Sequence, residues 1–150
     1  MPQSLVRNYI HLIFSTKHRA HTIDQFIEQE LFSYIAGICT NNDCYPVQIG
    51  GYTNHVHAFF LLSKKMTLIK IVEEIKFHSS GWIKTKGEHY HNFYWQNGYG
   101  AFSVNPSEVD IAAAYIENQK EHHQRMTFEE EYRGFLAKYG VEYDERYVWD

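Results

Sequence analysis

Gly51-Tyr52-Thr53-Asn54-His55-Val56-His57-Ala58-Phe59-Phe60-Leu61-Leu62 is the stretch on which the reading of the fold turns. Its first residues are turn formers, and the apolar run that follows has the length of one buried strand. Successive side chains of a strand point to opposite faces. Val56, Ala58, Phe60 and Leu62 therefore share a face directed at a core, and His55 and His57 lie together on the other. Two imidazoles side by side at the start of a strand are candidate metal ligands. The spacing alone carries little. Ten histidines in 150 residues give about 0.7 His-x-His pairs by chance. A second pair, His89 and His91, sits in a polar stretch from Lys86 to Asn92 and reads as surface.

Upstream of this strand, Tyr9 to Thr16 reads as a first strand with Ile10, Leu12 and Phe14 on one face. A basic loop, Lys17 to His21, follows; it is either a solvated loop or a phosphate contact through Lys17 and Arg19. A helix is expected from about Asp24 to Asn42, opened by a capping box of Thr22 and Gln25. Tyr45 to Ile49 is a second strand, with Gly50-Gly51 and Thr53-Asn54 turning into the third. Downstream, a second helix spans about Thr67 to Thr85. Phe93 to Val104 is a fourth strand bent near Gly98 and Gly100.

This order is strand, helix, strand, strand, helix, strand. It predicts an α+β fold, a ferredoxin-like four-stranded antiparallel sheet with helices packed on one face, followed by C-terminal helices. One of these runs from Asn105 or Ser107 to about Gln124. The other starts after Thr127, with Glu130 as capping partner, and ends at Gly140. Val141 to Asp150 form an irregular tail or strap. With no repeat or linker, residues 1–150 are expected to form a single domain.

Composition bounds the function only loosely. The net charge of −4 argues against a non-specific polyanion binder but leaves room for a local basic patch. Two cysteines, Cys39 and Cys44, imply no disulfide framework, and no leader is visible, so a reduced cytoplasmic setting is expected. The longest apolar run is far too short to span a membrane.

A second constellation lies in Ala114-Tyr115-Ile116-Glu117-Asn118-Gln119-Lys120-Glu121-His122-His123. Residues four apart on a helix lie one above the other, so Tyr115 and Gln119 share a face, with His122 one turn further. A divalent metal on His55 and His57, with the amide oxygen of Gln119 as third ligand, would orient a phosphate for in-line attack by Tyr115. The mixed nitrogen and oxygen ligands suit Mn2+ better than Mg2+, and either can serve. His122 and His123 read first as bland residues, although His122, on the Tyr115 face, could assist near the site without serving as a ligand. Against this stands a metallohydrolase that uses His55, His57 and one of His122 and His123, with water as the nucleophile.

Taken together, four stretches resemble the HUH single-tyrosine transposases of small bacterial insertion sequences (the IS200-like family) and their domesticated relatives acting on repetitive palindromic DNA. These are Phe14 to Lys17, Asn54 to His57, Trp95 to Val104 and Tyr115 to His123. The resemblance implies that His55, His57 and Gln119 bind the divalent metal. It implies that Tyr115 cuts single-stranded DNA bearing hairpins, the expected partner, through a 5′-phosphotyrosine that frees a 3′-hydroxyl. It also implies a homodimer in which the tyrosine helix of one copy can complete the site of the other. The alternative is a domesticated or inactive module of the same fold that holds hairpin or single-stranded DNA without cutting it. One departure is visible: where many relatives carry Asp before the first histidine, this chain has Asn54.

Overall fold

The computed structural model describes residues 2–150. Four strands, β1 (Asn8–Ser15), β2 (Tyr45–Tyr52), β3 (His55–Leu62) and β4 (Gly100–Val104), form one sheet in the order β2-β3-β1-β4. All its pairings are antiparallel. Helices α1 (Glu28–Asn41) and α2 (Leu68–Lys84) supply the two crossovers, which completes the expected ferredoxin-like layout. Ile10, Leu12, Phe14, Val56, Ala58 and Phe60 face these helices and pack with Leu31, Ile35, Ile71 and Ile75 in the main core. The period-2 pattern of β1 and β3 thus lands where alternation requires.

The C-terminal helices take the opposite face. Helix α3 (Val109–Glu117) buries Ile116 against Tyr9, Phe59 and Val104. Helix α5 (Phe128–Lys138) buries Phe128, Tyr132 and Leu136 against Ile13 and Phe102. Both helices come close because the sheet offers glycine beneath them. A Cβ on Gly50 would meet the Ile116 carbonyl oxygen at 2.8 Å, and one on Gly100 would meet the Tyr132 ring at 2.8 Å. This face carries His55 and His57, so the extra helices convert an open sheet surface into a roofed site.

Several expected boundaries move. The first helix starts at Glu28, not near Asp24, and no side chain caps it. Ile23 is buried and donates its N–H to the Thr53 carbonyl at 2.9 Å, which ties this segment to the β2–β3 turn before a helix can begin. Gly50 and Gly51 belong to β2, and the turn is Thr53-Asn54 alone. The fourth strand is shorter than Phe93 to Val104. Phe93 and Trp95 are buried in the α1–α2 core; Trp95 forms an isolated bridge with Thr16, and the Gln96 N–H donates to the Ser15 carbonyl at 2.9 Å. The Lys76 ammonium holds this segment by donating to the carbonyls of Gln96 (2.8 Å), Asn97 (3.3 Å) and Gly98 (2.5 Å).

The helix expected from residue 105 to 124 is not continuous. After a 3-10 turn (Pro106–Glu108), α3 ends at Glu117 and a short α4 (Gln119–His122) begins beyond a kink at Asn118, whose φ and ψ are −96° and 23°. Helix α5 opens as expected, with Thr127 Oγ1 accepting from the Glu130 N–H at 3.1 Å. The tail acts as a strap: Trp149 packs on Phe128 and Tyr132, and the Asp150 backbone oxygen accepts from the Gly98 N–H at 2.7 Å. Among the described residues no helix is long and apolar enough to cross a membrane.

Candidate active site

Antiparallel pairing sets His55 opposite Ser15 of β1 and His57 opposite Gly50 of β2. Both imidazoles are fully buried. Each has its Nδ1 engaged. His55 Nδ1 lies 2.8 Å from Asn54 Oδ1, and His57 Nδ1 lies 2.7 Å from His11 Nε2. The Asn54 amide is oriented by its other end, since Nδ2 donates to the Arg19 carbonyl at 3.4 Å. An oxygen facing His55 can only accept, so the His55 proton sits on Nδ1 and its Nε2 lone pair points into the site. Burial, together with the neighbouring His57, holds His11 well below its ordinary pKa. A neutral His11 can accept from His57 at Nε2, which leaves the His57 Nε2 lone pair pointing into the site as well.

A third imidazole and a carboxylate meet these two. His123 uses Nδ1 on the Met126 carbonyl at 2.8 Å. The Oε1 atom of Glu131, from α5, lies 3.4 Å from His55 Nε2, 3.1 Å from His57 Nε2 and 3.2 Å from His123 Nε2. Gln119 Oε1 stands 3.0 Å from His55 Nε2 and 2.9 Å from His123 Nε2. Burial alone would raise the Glu131 carboxyl, but His57 and the other imidazoles packed against it outweigh this and hold it well below the carboxylate range. Burial lowers His55 to about 4, although Glu131 opposes this. Burial also opposes charge on His123, yet Glu131 and the Met126 carbonyl keep its pKa above the ordinary value.

This donor set fits a metal cation. One donor atom each from His55, His57, His123 and Glu131 lie within 4.8 Å of one another. Donors bound at about 2.0–2.2 Å on opposite sides of one ion are about 4.4 Å apart. Every Nδ1 proton is spent outside the cluster, so Nε2 lone pairs and oxygen acceptors converge where a cation would satisfy them all.

Tyr115, at the end of α3, stands beside this cluster in the same chain. Its hydroxyl contacts Glu131 Oε2 and lies 2.9 Å from His122 Nε2. Gln119 Nε2 donates to the same Glu131 oxygen at 3.1 Å. Glu131 therefore bridges the histidine cluster through one oxygen and the phenol through the other. Burial, and then the Glu131 charge, push the Tyr115 pKa above its ordinary value. A cleft of about 320 Å³ between α3 and α5 opens onto Tyr115, with Ile111, Ala112, Met126, Phe135 and Tyr139 in its walls.

The structure thus brings together His55, His57, Gln119 and Tyr115, all singled out in the sequence. Gln119 is buried against two imidazoles rather than displayed on the continuous helix face from which it was read. His122 touches Tyr115, in line with the helix face they share, whereas His123 is no bland residue and joins the cluster. His89 lies elsewhere, exposed near Asp24. Lys17 and Arg19 lie in a 3-10 turn at the end of β1, where His18 and Arg19 adopt φ of 59° and 56°. Arg19 sits over the Trp149 ring and 4.0 Å from Glu129, so its charge is partly engaged. Glu131 and His11 were missed. Periodicity did not single Glu131 out: on a 3.6-residue period Glu129 falls as near the apolar stripe of Phe128, Tyr132, Phe135 and Leu136 as Glu131 does.

Residues 4–119 match the family described as IS200-like transposases. The chain belongs to that family. No curated protein matches the chain. Among solved structures, a protein of Deinococcus radiodurans R1 assigned as a transposase is similar in fold, with a TM-score of 0.60 at 21% identity over 79% of this chain and 98% of that one. A REP-associated tyrosine transposase bound to a REP hairpin has a TM-score of 0.60 at 14% identity over 82% of this chain and 73% of its own. The family match ends at Gln119, so this IS200-like chain takes His122, His123 and Glu131 from beyond the matched region.

Proposed function

We propose that this transposase cleaves and rejoins single-stranded DNA through a 5′-phosphotyrosine on Tyr115. The observation that carries the reading is the Glu131 carboxylate, which touches the Tyr115 hydroxyl with one oxygen and faces the histidine cluster with the other. In the step, the Tyr115 oxygen forms a bond to phosphorus while its proton passes to Glu131 or His122. The P–O3′ bond breaks, and the leaving oxygen takes up a proton to become a 3′-hydroxyl. The reverse reaction rejoins a strand with no nucleotide cofactor, because the phosphotyrosine conserves the energy of the broken bond.

His55, His57, His123 and Glu131, with the Gln119 amide oxygen beside them, would hold the divalent metal, Mn2+ or Mg2+. When bound, it supplies Lewis-acid polarisation of the phosphate oxygens. Asn54 and His11 keep the two strand histidines in the tautomer that a metal needs. Hairpin-bearing DNA is the proposed substrate class, in keeping with the hairpin held by the structural relative. Each chain carries its own nucleophile and cluster, and a homodimer would set two such sites on the two ends to be joined.

The test is a covalent-adduct assay. Single strands from either side of the gene are incubated with the wild type and with Tyr115→Phe, plus Mn2+ or Mg2+, and resolved on a denaturing gel. A metal-dependent protein–DNA band in the wild type, absent from Tyr115→Phe, is expected. Cleavage without a covalent band that persists in Tyr115→Phe would identify water as the nucleophile and overturn the proposal. Binding without any cleavage would favour the non-cutting module.

A further inference from the structure

On the face of the sheet away from Tyr115, a groove runs between α2 and the segment 93–97. Phe77, Trp82, Lys84 and Tyr94 line it, with Lys76 at its base. Phe77 and Tyr94 are 76% and 53% exposed, large aromatic surfaces turned to solvent. Trp82 is stacked on Tyr34, with ring centroids 5.0 Å apart. The Lys84 ammonium lies 4.3 Å from the centre of the Tyr94 ring and 3.0 Å from Ser80 Oγ. Lys17 approaches the same ring at 5.9 Å. Among the described residues, no aspartate or glutamate lines this groove, in a chain with 18 acidic residues and a net charge of −4.

We infer that this groove is a second DNA-binding site that holds single-stranded DNA leading to or from the catalytic centre, with bases stacked on Tyr94 and Phe77 and phosphates on Lys84 and Lys17. The inference rests on the DNA-cleaving reading of the Tyr115 site. Two features select the occupant. An acid-free surface with lysines on an otherwise acidic protein favours a polyanion. Exposed ring faces offer most to unstacked bases, which a B-form duplex keeps stacked inside.

Continuity with the catalytic site is built into the backbone. The Lys17 N–H donates to the Tyr94 carbonyl at 2.7 Å, and the Thr16 N–H donates to the Asn54 carbonyl at 2.9 Å. The turn from Thr16 to Arg19 therefore joins the groove to the residue that orients His55. Lys17 leans to the groove side, and Arg19 leans to the α5 side against Trp149. A strand crossing this turn would meet cationic side chains on both faces of the sheet.

The test is fluorescence anisotropy with a labelled oligodeoxythymidylate and, separately, a labelled duplex, in EDTA and in a Tyr115→Phe background, so that binding is read without cleavage. Tyr94→Ala is expected to weaken single-strand binding roughly ten-fold. Lys84→Ala is expected to reduce the salt slope by about 0.7 for one lost phosphate contact. Tyr94→Phe and Lys84→Arg should restore most of the affinity, which a mere folding defect would not allow. A wild-type slope and affinity in both alanine variants would overturn the groove, as would an equal loss of duplex binding. The covalent-adduct assay separates the two proposals: an adduct with an inert groove leaves Tyr115 standing, and a working groove without an adduct removes the cleavage reading alone.

Discussion

The Asn54 amide oxygen supplies the acceptor that His55 Nδ1 requires. Exchange of Asn54 for Asp would preserve the direction of this hydrogen bond and add only a charge. Hydrogen bonds of this kind orient a ligand and set its tautomer, and losing one weakens metal affinity by about 10–100-fold. Asn54→Ala is expected to fall in that range for Mn2+ in isothermal titration calorimetry, with Asn54→Asp close to wild type. Unchanged affinity in Asn54→Ala would show that His55 needs no such support. Glu131 carries a heavier duty, because it is buried, anionic and shared between the cluster and Tyr115. Glu131→Gln keeps its shape and removes its charge, which separates those duties from packing.

At the scale of elements, the site depends on how closely α3 lies on the sheet. Gly50 lets Ile116 of α3 rest on β2, and Tyr115 is its neighbour in sequence. In Gly50→Ala the new methyl would lie 2.8 Å from a backbone oxygen and 2.9 Å from the Ile116 Cγ2. A backbone clash cannot be relieved by a rotamer change, so α3 must shift. The expected cost is about 1–3 kcal/mol of stability, read by urea denaturation. The rate of Tyr115 adduct formation should fall, because the phenol moves with its helix. Mn2+ affinity should fall less, because His55, His57 and Glu131 do not ride on α3, whereas His123 and Gln119 lie on the segment that follows it. Equal losses in both readouts would mean that the sheet itself had been disturbed. The kink at Asn118 acts at the same scale: it lets Tyr115 and Gln119 approach Glu131 from two short helices rather than one.

The whole molecule decides whether the active site belongs to one copy or two. Tyr115 meets Glu131 and His122, and Glu131 meets His55 and His57, all within a single chain. Co-expressed Tyr115→Phe and His57→Ala chains should therefore yield no covalent adduct, since each copy lacks one half of its own site. Restored adduct formation in the mixture would mean that tyrosine helices are exchanged between copies. The tail contributes at this scale too. Through Trp149 it packs on α5, and through Asp150 it holds Gly98, tying the roof of the site to the segment that lines the groove.

Much of this was legible in the sequence, for local reasons. Alternation along β1 and β3 determined which face is core and that His55 and His57 share the other. The order of strands and helices determined the ferredoxin-like sheet, and Thr127 with Glu130 determined where α5 begins. The Tyr115–Gln119 spacing pointed to two residues that the structure brings together on Glu131, although the helix between them is kinked. What only the tertiary structure decided depends on contacts between distant segments. The C-terminal helices cover the histidine face because Gly50 and Gly100 admit them. Glu131 and His123 join His55 and His57 across more than 60 residues of chain, and His11 reaches His57 from a neighbouring strand. A buried charge is tolerated only where partners converge on it, and those partners are assembled by folding.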